Sequence, residues 1–196
     1  MKIRIAFTGA SGTGKTVLAK KLAEILGLPF NPVGARSVAQ DMGFDTPYQI
    51  DQSGRRKEFQ QRLIATKVEW ETKNEAFVTD RSTLDNLAYD TLHSPLASDA
   101  AGIAQAVAHA KTYSQVFFCP MAAFINVTSD PARIANLAYQ DMYEALLWGL
   151  HTKYEIRQIR IPYGELDKRH QFVQSVATLK WPELGPDGRS TSDNPR

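Results

Sequence analysis

The stretch Gly9-Ala10-Ser11-Gly12-Thr13-Gly14-Lys15-Thr16 fits the phosphate-binding pattern G-x-x-x-x-G-K-[ST] at every fixed position. Small residues let successive backbone N–H groups turn inward around a phosphate, and a helix that begins directly after them adds its positive N-terminal end. In this pattern the lysine reaches the β- and γ-phosphates of a nucleotide, and the following hydroxyl ligates Mg²⁺. We therefore predict a nucleotide site in which Gly9, Ser11, Gly12, Thr13, Gly14, Lys15 and Thr16 bind the phosphates and Thr16 binds the metal.

The flanking sequence supports this interpretation against a plain glycine-rich turn. Ile3, Ile5 and Phe7 alternate with more polar residues before the motif, which is typical of a strand. After it, apolar residues from Val17 to Leu26 keep helical spacing. A strand followed by the motif and then a helix is the context that phosphate binding requires.

Length and composition narrow the class of protein. A chain of 196 residues is the size of one domain, and a net charge of +2 is too small to indicate nucleic-acid or membrane binding by itself. The single cysteine, Cys119, excludes a disulfide framework and a cysteine-based metal site, so we expect it in the core. The first residues lack the apolar region of a signal peptide, and the longest apolar run is too short to span a bilayer. We expect a cytoplasmic protein that does not bind membranes.

Alternating strand-like and helical patterns predict an α/β fold with a parallel sheet. The predicted strands are residues 2–8, 29–33, 75–80, 115–119 and 155–162. The predicted helices run from the motif to residue 26 and over residues 36–42, 54–75, 100–111, 129–150 and 165–180, with a polar loop at residues 44–53. A further predicted helix follows Ser82 and carries Leu84, Leu87, Ala88 and Leu92. Residues 1–181 are predicted to form one domain, and the turn-rich tail 182–196 is predicted to be disordered.

Asp80 is the second informative residue. It ends a short apolar run and precedes Arg81, Ser82 and a further helix. Beside a phosphate-binding loop, a carboxylate at the end of a strand holds the metal or orients the attacking hydroxyl, whereas elsewhere the same residue is a common helix cap. We favour the functional interpretation and leave the metal and base roles open. Arg81 has two equally suitable partners, a phosphate or a neighbouring carboxylate.

Several stretches together resemble the small P-loop kinases related to ribosylnicotinamide kinase, a group that includes many phage proteins. They are Gly9 to Thr16, Gly34-Ala35-Arg36, Phe59-Gln60 with Glu69 or Glu71, and Asp80-Arg81-Ser82 with Asp85 and Tyr89. The resemblance covers about residues 1 to 175. It implies a three-layer P-loop kinase fold with a five-stranded parallel sheet, a helical lid at about residues 121–150, and ATP with Mg²⁺ as cofactors. It also implies catalytic roles for Lys15, Asp80, Arg81 and the lid arginine Arg133, and substrate contacts from Arg36 and Arg81.

The sequence thus predicts a kinase that transfers the γ-phosphoryl group of ATP to a hydroxyl of a nucleoside or nucleotide. Phage kinases in the resembling group phosphorylate the hydroxymethyl group of 5-hydroxymethyluracil in DNA, so DNA modification in a host cytoplasm is one alternative. In that case the DNA backbone would lie along the basic residues Arg55, Arg56 and Lys57, and a base would stack on Tyr48. The other alternative is a P-loop ATPase that acts as a switch or partner-binding module. A GTPase is disfavoured because the chain lacks an Asn-Lys-x-Asp stretch.

Overall fold

A computed structural model describes residues 2–93, 100–121 and 136–178, with every side chain in these ranges except that of Tyr48. The elements follow one another as β1 (Arg4–Thr8), α1 (Lys15–Leu26), α2 (Ala35–Asp41), α3 (Pro47–Ser53), α4 (Arg56–Lys73), β2 (Phe77–Asp80), α5 (Thr83–His93), α6 (Ala100–Ala110), β3 (Gln115–Phe118), α7 (Leu137–Lys153), β4 (Ile159–Arg160) and α8 (Leu166–Thr178).

The sheet is parallel with strand order β2-β1-β3-β4, which confirms the predicted α/β class. The described residues form four strands and not five, because the predicted strand at residues 29–33 is reduced to one bridge between Phe30 and Val78. The Asn31 N–H donates to the Val78 carbonyl, and the Val78 N–H donates to the Pro29 carbonyl. Pro29 and Pro32 lack the N–H groups that a longer ladder needs, so pairing stops at this edge.

Helices cover both faces of the sheet, which gives the three layers expected. Successive residues of β1 point to opposite sides, since Ile5 and Phe7 belong to one core cluster and Ala6 to another. The first cluster packs β1 against α1 and α8, and the second packs it against α5 and α7. Cys119 is fully buried, as predicted, and burial raises its pKa to about 12. Its thiol is therefore an inert part of the core.

One local prediction was wrong: residues 44–53, expected as a polar loop, contain helix α3. Thr46 precedes Pro47 in the first turn, and the side chain of Gln49 accepts hydrogen bonds from the Asp45 and Thr46 N–H groups at 2.7 and 3.3 Å. Gly54 ends the helix in a left-handed conformation. These are ordinary helix start and stop signals, outweighed in the sequence by the polar composition of the stretch.

Helix α4 has no continuous apolar face. Phe59 and Leu63 are buried, but the C-terminal half buries Lys67 and Glu71, while Trp70 is only half-buried. A hydrophobicity pattern cannot anticipate buried ions whose partners lie on other elements. No helix among the described residues is long and apolar enough to cross a membrane.

Part of the predicted lid and all of the predicted tail lie outside the described residues. These are residues 122–135, which include Arg133, and residues 182–196. The described part of residues 121–150 is Met121 followed by Asn136 and most of α7. Tyr143 and Leu147 of α7 are fully buried in the cluster that α7 shares with α5.

Candidate functional site

The phosphate-binding motif forms the loop between β1 and α1. Gly9 has φ 130°, and a side-chain carbon added there would lie 2.3 Å from the carbonyl oxygen of Cys119. Gly14, at φ 81°, caps the N-terminus of α1 in the left-handed region. Both positions therefore require glycine for a backbone reason. The loop that results places the positive end of a 12-residue helix behind its backbone amides.

Lys15 lies within this loop and is almost fully buried. Its Nζ donates to the Ala10 carbonyl at 2.5 Å and to the Thr13 hydroxyl at 3.2 Å. Burial, together with the nearby charge of Arg81, lowers the pKa of Lys15 to about 8. The ammonium is thus a cation held by two neutral oxygens at the wall of a cavity, where an anion would be a better partner.

Thr16 and Asp80 meet although they are 64 positions apart in the chain. Parallel pairing of β1 with β2 places Asp80 opposite Phe7, at the same sheet edge as the loop. The Thr16 hydroxyl donates to Asp80 Oδ2 at 2.5 Å. The other oxygen, Oδ1, is buried and has no hydrogen-bond partner among the described residues. Asp80 is not the cap of α5, because Ser82 takes that place through reciprocal hydrogen bonds with Asp85.

These two oxygen donors fit a magnesium ion. Mg²⁺ is bound by hard oxygen ligands and usually takes only one or two from the protein, with water and phosphate completing its shell. The described residues contain no group of three or more His, Cys, Asp or Glu side chains that could form a closed metal cage. An open pair of a hydroxyl and a carboxylate with a spare oxygen is the donor set that a nucleotide-bound Mg²⁺ requires.

Asp85 is a fully buried carboxylate that ties the loop to two helices. It accepts hydrogen bonds from the Thr8 hydroxyl at 2.7 Å, the Gly9 N–H at 3.4 Å and the Tyr143 hydroxyl at 2.9 Å. Burial favours its neutral form, but Arg81 and these donors more than offset it, and the pKa of Asp85 is lowered. From the sequence, Asp85 was named only as part of a family resemblance, and its contacts with the loop and with α7 were not predicted.

Arg81 has a left-handed backbone at φ 72° and lies over the ring of Tyr89 at 4.9 Å. Its Nη1 lies 3.3 Å from Asp85 Oδ1, and its Nη2 donates to the Ser11 hydroxyl at 3.2 Å. Arg81 was predicted to pair with either a phosphate or a carboxylate, and in the described residues it pairs with the carboxylate of Asp85. The guanidinium also reaches the phosphate-binding loop and lines the cavity. Its position suits a role in both organising the loop and meeting a phosphate.

A cavity of about 1150 Å³ opens beside the loop, toward helices α2 to α5. It brings together most of the predicted site residues: Ser11, Gly12, Gly14, Lys15, Thr16, Arg36, Asp80 and Arg81. Gly9 and Thr13 lie behind this wall, where Thr13 donates to the Ala10 carbonyl. The side chain of Tyr48 and all of Arg133 lie outside the described residues.

The basic run after α3 is largely neutralised within the described structure. Arg55 binds Glu58 through two hydrogen bonds of 2.9 and 2.7 Å. Arg56 forms an ion pair with Asp51, and both line the cavity. Two of the three cations that could follow a nucleic-acid backbone are thus already paired with carboxylates.

A buried polar network lies behind Asp80. Glu71 accepts hydrogen bonds from Asn31 and Tyr113 at 2.9 Å each, lies 2.6 Å from His109 Nε2, and forms an ion pair with Lys67 at 3.2 Å. Burial alone would raise the pKa of Glu71, but Lys67 and His109 hold it at about 2. Lys67 in turn donates to the Thr79 hydroxyl at 2.5 Å, next to Asp80. Through this hydrogen bond the network holds the C-terminal end of β2, which carries Asp80, against α4.

Other residues near the site were not found from the sequence, because no local pattern marks them. Gln140 of α7 accepts a hydrogen bond from the Ser11 N–H at 2.9 Å. Arg169 of α8 is buried beside Gly14, and its Nε and Nη2 have no partner among the described residues. Asn86 is a further buried polar residue of the cavity wall, beside Gln60, which the sequence had marked only through the family resemblance.

Comparisons with solved structures show the same fold. NadR protein in complex with NAD and AMP-PNP superimposes with a TM-score of 0.63 at 15% identity over 89% of this chain, which spans about half (48%) of the NadR chain. Deoxyadenosine kinase from M. mycoides with products dCMP and a flexible dCDP gives 0.64 at 11% identity, covering 88% of this chain and 97% of that one. Shikimate kinase from Acinetobacter baumannii with shikimate gives 0.59 at 16% identity, covering 90% and 93%. The chain thus has a P-loop kinase fold.

Sequence comparison shows the family. No curated protein matches the chain at a significant level. A family model described as an AAA domain matches residues 4–169, from the start of β1 into α8. Because this match spans most of the 196 residues and includes the whole phosphate-binding loop, the chain belongs to the AAA domain family.

Proposed function

We propose that this protein is an ATP-dependent kinase that transfers the γ-phosphoryl group to a hydroxyl of a nucleoside or nucleotide. The observation that carries the proposal is the pair of Thr16 and Asp80, joined by a hydrogen bond beside Lys15 at the head of a cavity of about 1150 Å³. A phosphate-binding loop supports any nucleotide hydrolase, but a cavity that extends from the loop to helices α2 to α5 provides room for a second substrate.

The residues have distinct roles in this proposal. The loop amides and Lys15 would hold the β- and γ-phosphates and Thr16 would hold Mg²⁺. Asp80 either joins Thr16 on the metal or orients the acceptor hydroxyl, and Arg81 offsets negative charge beside Ser11. Magnesium, when bound, neutralises charge on the phosphate oxygens. The acceptor oxygen forms a bond to the γ-phosphorus, the bond to the bridging oxygen of ADP breaks, and the hydroxyl proton passes to Asp80 or to water. Arg133 keeps its proposed role as a lid cation.

Asp80 faces the cavity and has a buried oxygen without a partner among the described residues, which suits either contact with the metal or orientation of the hydroxyl. Structural neighbours include kinases whose names specify deoxyadenosine and shikimate, both of which carry hydroxyl groups. They support a kinase reaction with a small hydroxyl acceptor, and the family resemblance in the sequence favours the nucleoside class of the two.

A base within DNA is the alternative acceptor. It has less support, because Arg55 and Arg56 are paired with Glu58 and Asp51 and leave little positive charge for a backbone. An ATPase switch needs no room for a second substrate beside the nucleotide. Both alternatives are therefore tested as separate arms of one experiment.

The experiment is phosphoryl transfer from radiolabelled ATP to nucleosides, nucleotides, shikimate and single- and double-stranded DNA with and without 5-hydroxymethyluracil. We expect transfer to a nucleoside or nucleotide that requires Mg²⁺ and is abolished in Lys15→Ala. Transfer to DNA alone would establish the alternative acceptor. ATP hydrolysis that no acceptor stimulates would contradict the kinase and favour a switch.

A further inference from the structure

Arg169 is a cation at a core-facing position of α8. Val173 and Val176 follow it on the same face of the helix and pack into the core cluster that α8 shares with α1. Arg169 is only 7% exposed, and its Nε and Nη2 have no hydrogen-bond partner among the described residues. A buried donor without a partner is costly, and a buried charge without a counter-charge costs more. An apolar side chain would suit this position better, so packing of the core does not explain the arginine.

The guanidinium lies directly behind the phosphate-binding loop. A side-chain carbon added at Gly14 would lie 3.4 Å from Arg169 Nη1, and Gly14 is itself part of the cavity wall. The charge of Arg169 also acts on Cys119, since burial raises the pKa of that thiol while Lys15 and Arg169 oppose the rise. The carbonyl of Cys119 in turn lies against Gly9. The guanidinium is thus near both ends of the loop.

The loop gathers positive charge that the described residues do not neutralise. Lys67, a buried cation of α4, pairs with Glu71 at 3.2 Å. Lys15, in contrast, donates only to neutral oxygens of the loop, and no described carboxylate accepts a hydrogen bond from Nε or Nη2 of Arg169. The positive N-terminal end of the 12-residue helix α1 lies at the same place. Two buried cations and a helix terminus on one loop indicate an anion of several charges.

The manner of recognition follows from how deeply Arg169 is buried. Its unpartnered nitrogens are enclosed by protein, so we assign the guanidinium an electrostatic effect and not a direct contact. A fixed charge close behind the loop attracts a bound anion in proportion to the charge of that anion, and solvent screens a buried charge little. A chain of phosphates, in which every added phosphate brings negative charge, therefore gains most from this field.

We propose that Arg169 is a positioning residue behind the phosphate-binding loop that makes affinity rise with the length of a polyphosphate chain. The donor site would then favour the triphosphate substrate over the diphosphate product, whichever base is attached. The proposal deepens the proposed function and rests on it, because it takes the loop to hold the phosphates of a nucleotide donor.

Phosphate chains with and without a base test the proposal in the unmodified protein. Calorimetry at physiological ionic strength and without Mg²⁺ would measure the affinities for AMP, ADP and a non-hydrolysable ATP analogue, and for inorganic pyrophosphate and tripolyphosphate. We expect affinity to rise with every added phosphate in both series. Affinities that do not rise with chain length, or tripolyphosphate that does not bind at millimolar concentration, would overturn the proposal.

Variants assign the preference to Arg169. Arg169→Met removes the charge and keeps an apolar side chain, Arg169→Lys keeps the charge, and Lys168→Met is the matched control that removes one charge from the exposed side of α8. We expect Arg169→Met to weaken binding of AMP about threefold, of ADP about tenfold and of the ATP analogue about thirtyfold, with the same trend for the inorganic chains. In Arg169→Lys and Lys168→Met the ratio of the affinities for the ATP analogue and AMP should stay within about twofold of its original value, because the charge is kept in the first and was screened by solvent in the second. If Arg169→Met does not fold, Arg169→Gln takes its place.

The outcomes separate the role of Arg169 from the proposed function. An equal loss for all ligands in Arg169→Met would show a merely structural role, and a loss confined to the nucleotides would place Arg169 against the base. Either result would overturn the proposal and leave the kinase standing if phosphoryl transfer occurs. Conversely, the expected dependence on chain length in a protein that transfers no phosphoryl group would support the role of Arg169 and contradict the kinase.

Discussion

Lys15 shows how the phosphate-binding loop is suited to an anion. Its ammonium is buried, close to the cation of Arg81 and the positive end of α1, and it contacts only neutral oxygens of its own loop. Burial and the nearby charge of Arg81 disfavour the charged form, which is why the pKa of Lys15 falls to about 8. Phosphate oxygens favour the charged form, so binding of a nucleotide and protonation of Lys15 are coupled.

The coupling predicts a pH dependence of nucleotide affinity. With a pKa of about 8 in the free protein, Lys15 is roughly nine-tenths charged at pH 7 and roughly one-tenth charged at pH 9. Affinity for ADP with Mg²⁺ should stay nearly constant below pH 7 and weaken by up to about tenfold between pH 7 and 9. Calorimetric titrations across this range would measure it. In Lys15→Gln affinity should be weaker at every pH, without that decline, whereas a flat profile in the unmodified protein would contradict the assignment.

Asp80 provides a second prediction at this scale. In Asp80→Asn the amide still accepts a hydrogen bond from Thr16 but loses the negative charge that attracts Mg²⁺ or the acceptor proton. The transfer rate should fall about a hundredfold or more, while affinity for nucleotide measured without Mg²⁺ should change little. Asp41→Asn, on the exposed end of α2, is the control and should leave both quantities unchanged. Near-normal turnover in Asp80→Asn would show that Asp80 has only a structural role.

At the scale of elements, helix α4 carries two ion pairs in very different surroundings. The pair of Lys67 and Glu71 is buried, with side chains 3% and 0% exposed, whereas the pair of Glu69 and Lys73 is exposed at 65% and 70%. Both pairs have the same i,i+4 spacing. Solvent screens the second pair and cannot reach the first, so they should differ strongly in what a single substitution costs.

We predict that Glu71→Gln lowers the free energy of unfolding by about 3–5 kcal/mol, because it leaves the ammonium of Lys67 buried without a counter-charge. The double variant Lys67→Met/Glu71→Gln should lose less than the sum of its single variants. Glu69→Gln should cost less than about 1 kcal/mol. Urea denaturation of these three variants and of Lys67→Met would measure the free energies. Equal losses for Glu71→Gln and Glu69→Gln would show that burial of the ion pair does not increase its contribution to stability.

The same network predicts how stability changes in acid. Since the pKa of Glu71 is about 2 in the folded protein and 4.5 in its ordinary state, the unfolded chain takes up a proton first as the pH falls. The contribution of Glu71 to stability is therefore complete above about pH 5 and is lost progressively between about pH 4.5 and 2. Unfolding curves of the unmodified protein should lose more stability over that range than those of Glu71→Gln.

At the scale of the whole molecule, the loop connects layers that would otherwise be joined only by the sheet. Asp85 and Gln140 join it to α5 and α7 on one face of the sheet, and it leads directly into α1, which packs on the other face. A ligand that binds this loop therefore stabilises contacts on both sides of the sheet. Binding of such a ligand should therefore raise the free energy of unfolding of the whole domain.

Nucleotide binding should accordingly raise the melting temperature in one cooperative transition. At a concentration one hundred times its dissociation constant, ADP with Mg²⁺ adds about 2.7 kcal/mol, which corresponds to about 5–10 °C for a domain of this size. Differential scanning calorimetry would measure the shift, with Lys15→Ala as the control that loses most of it. Two separate transitions, or a shift of the same size in Lys15→Ala, would contradict this description.

The sequence by itself determined the phosphate-binding loop, the α/β class and most helices and strands, because these depend on local spacing. The limits of α1 are an example: its motif marks the start, and Gly27 after Leu26 marks the end. The position of Asp80 at a strand end also follows from a local pattern. Even helix α3 had local signals, in Thr46, Pro47 and Gly54, that could have been used.

Only the tertiary structure decided which distant residues meet. Thr16 bonds to Asp80 because β1 and β2 pair in parallel, and the polar face of α4 is buried because Asn31, His109 and Tyr113 reach Glu71 from three other parts of the chain. The buried side chains of Gln60 and Asn86 come to line one cavity only because α4 and α5 pack beside each other. The physical reason is the same throughout: propensity and hydrophobic spacing act over a few residues, whereas the partner of a buried polar group is chosen by the packing of whole elements.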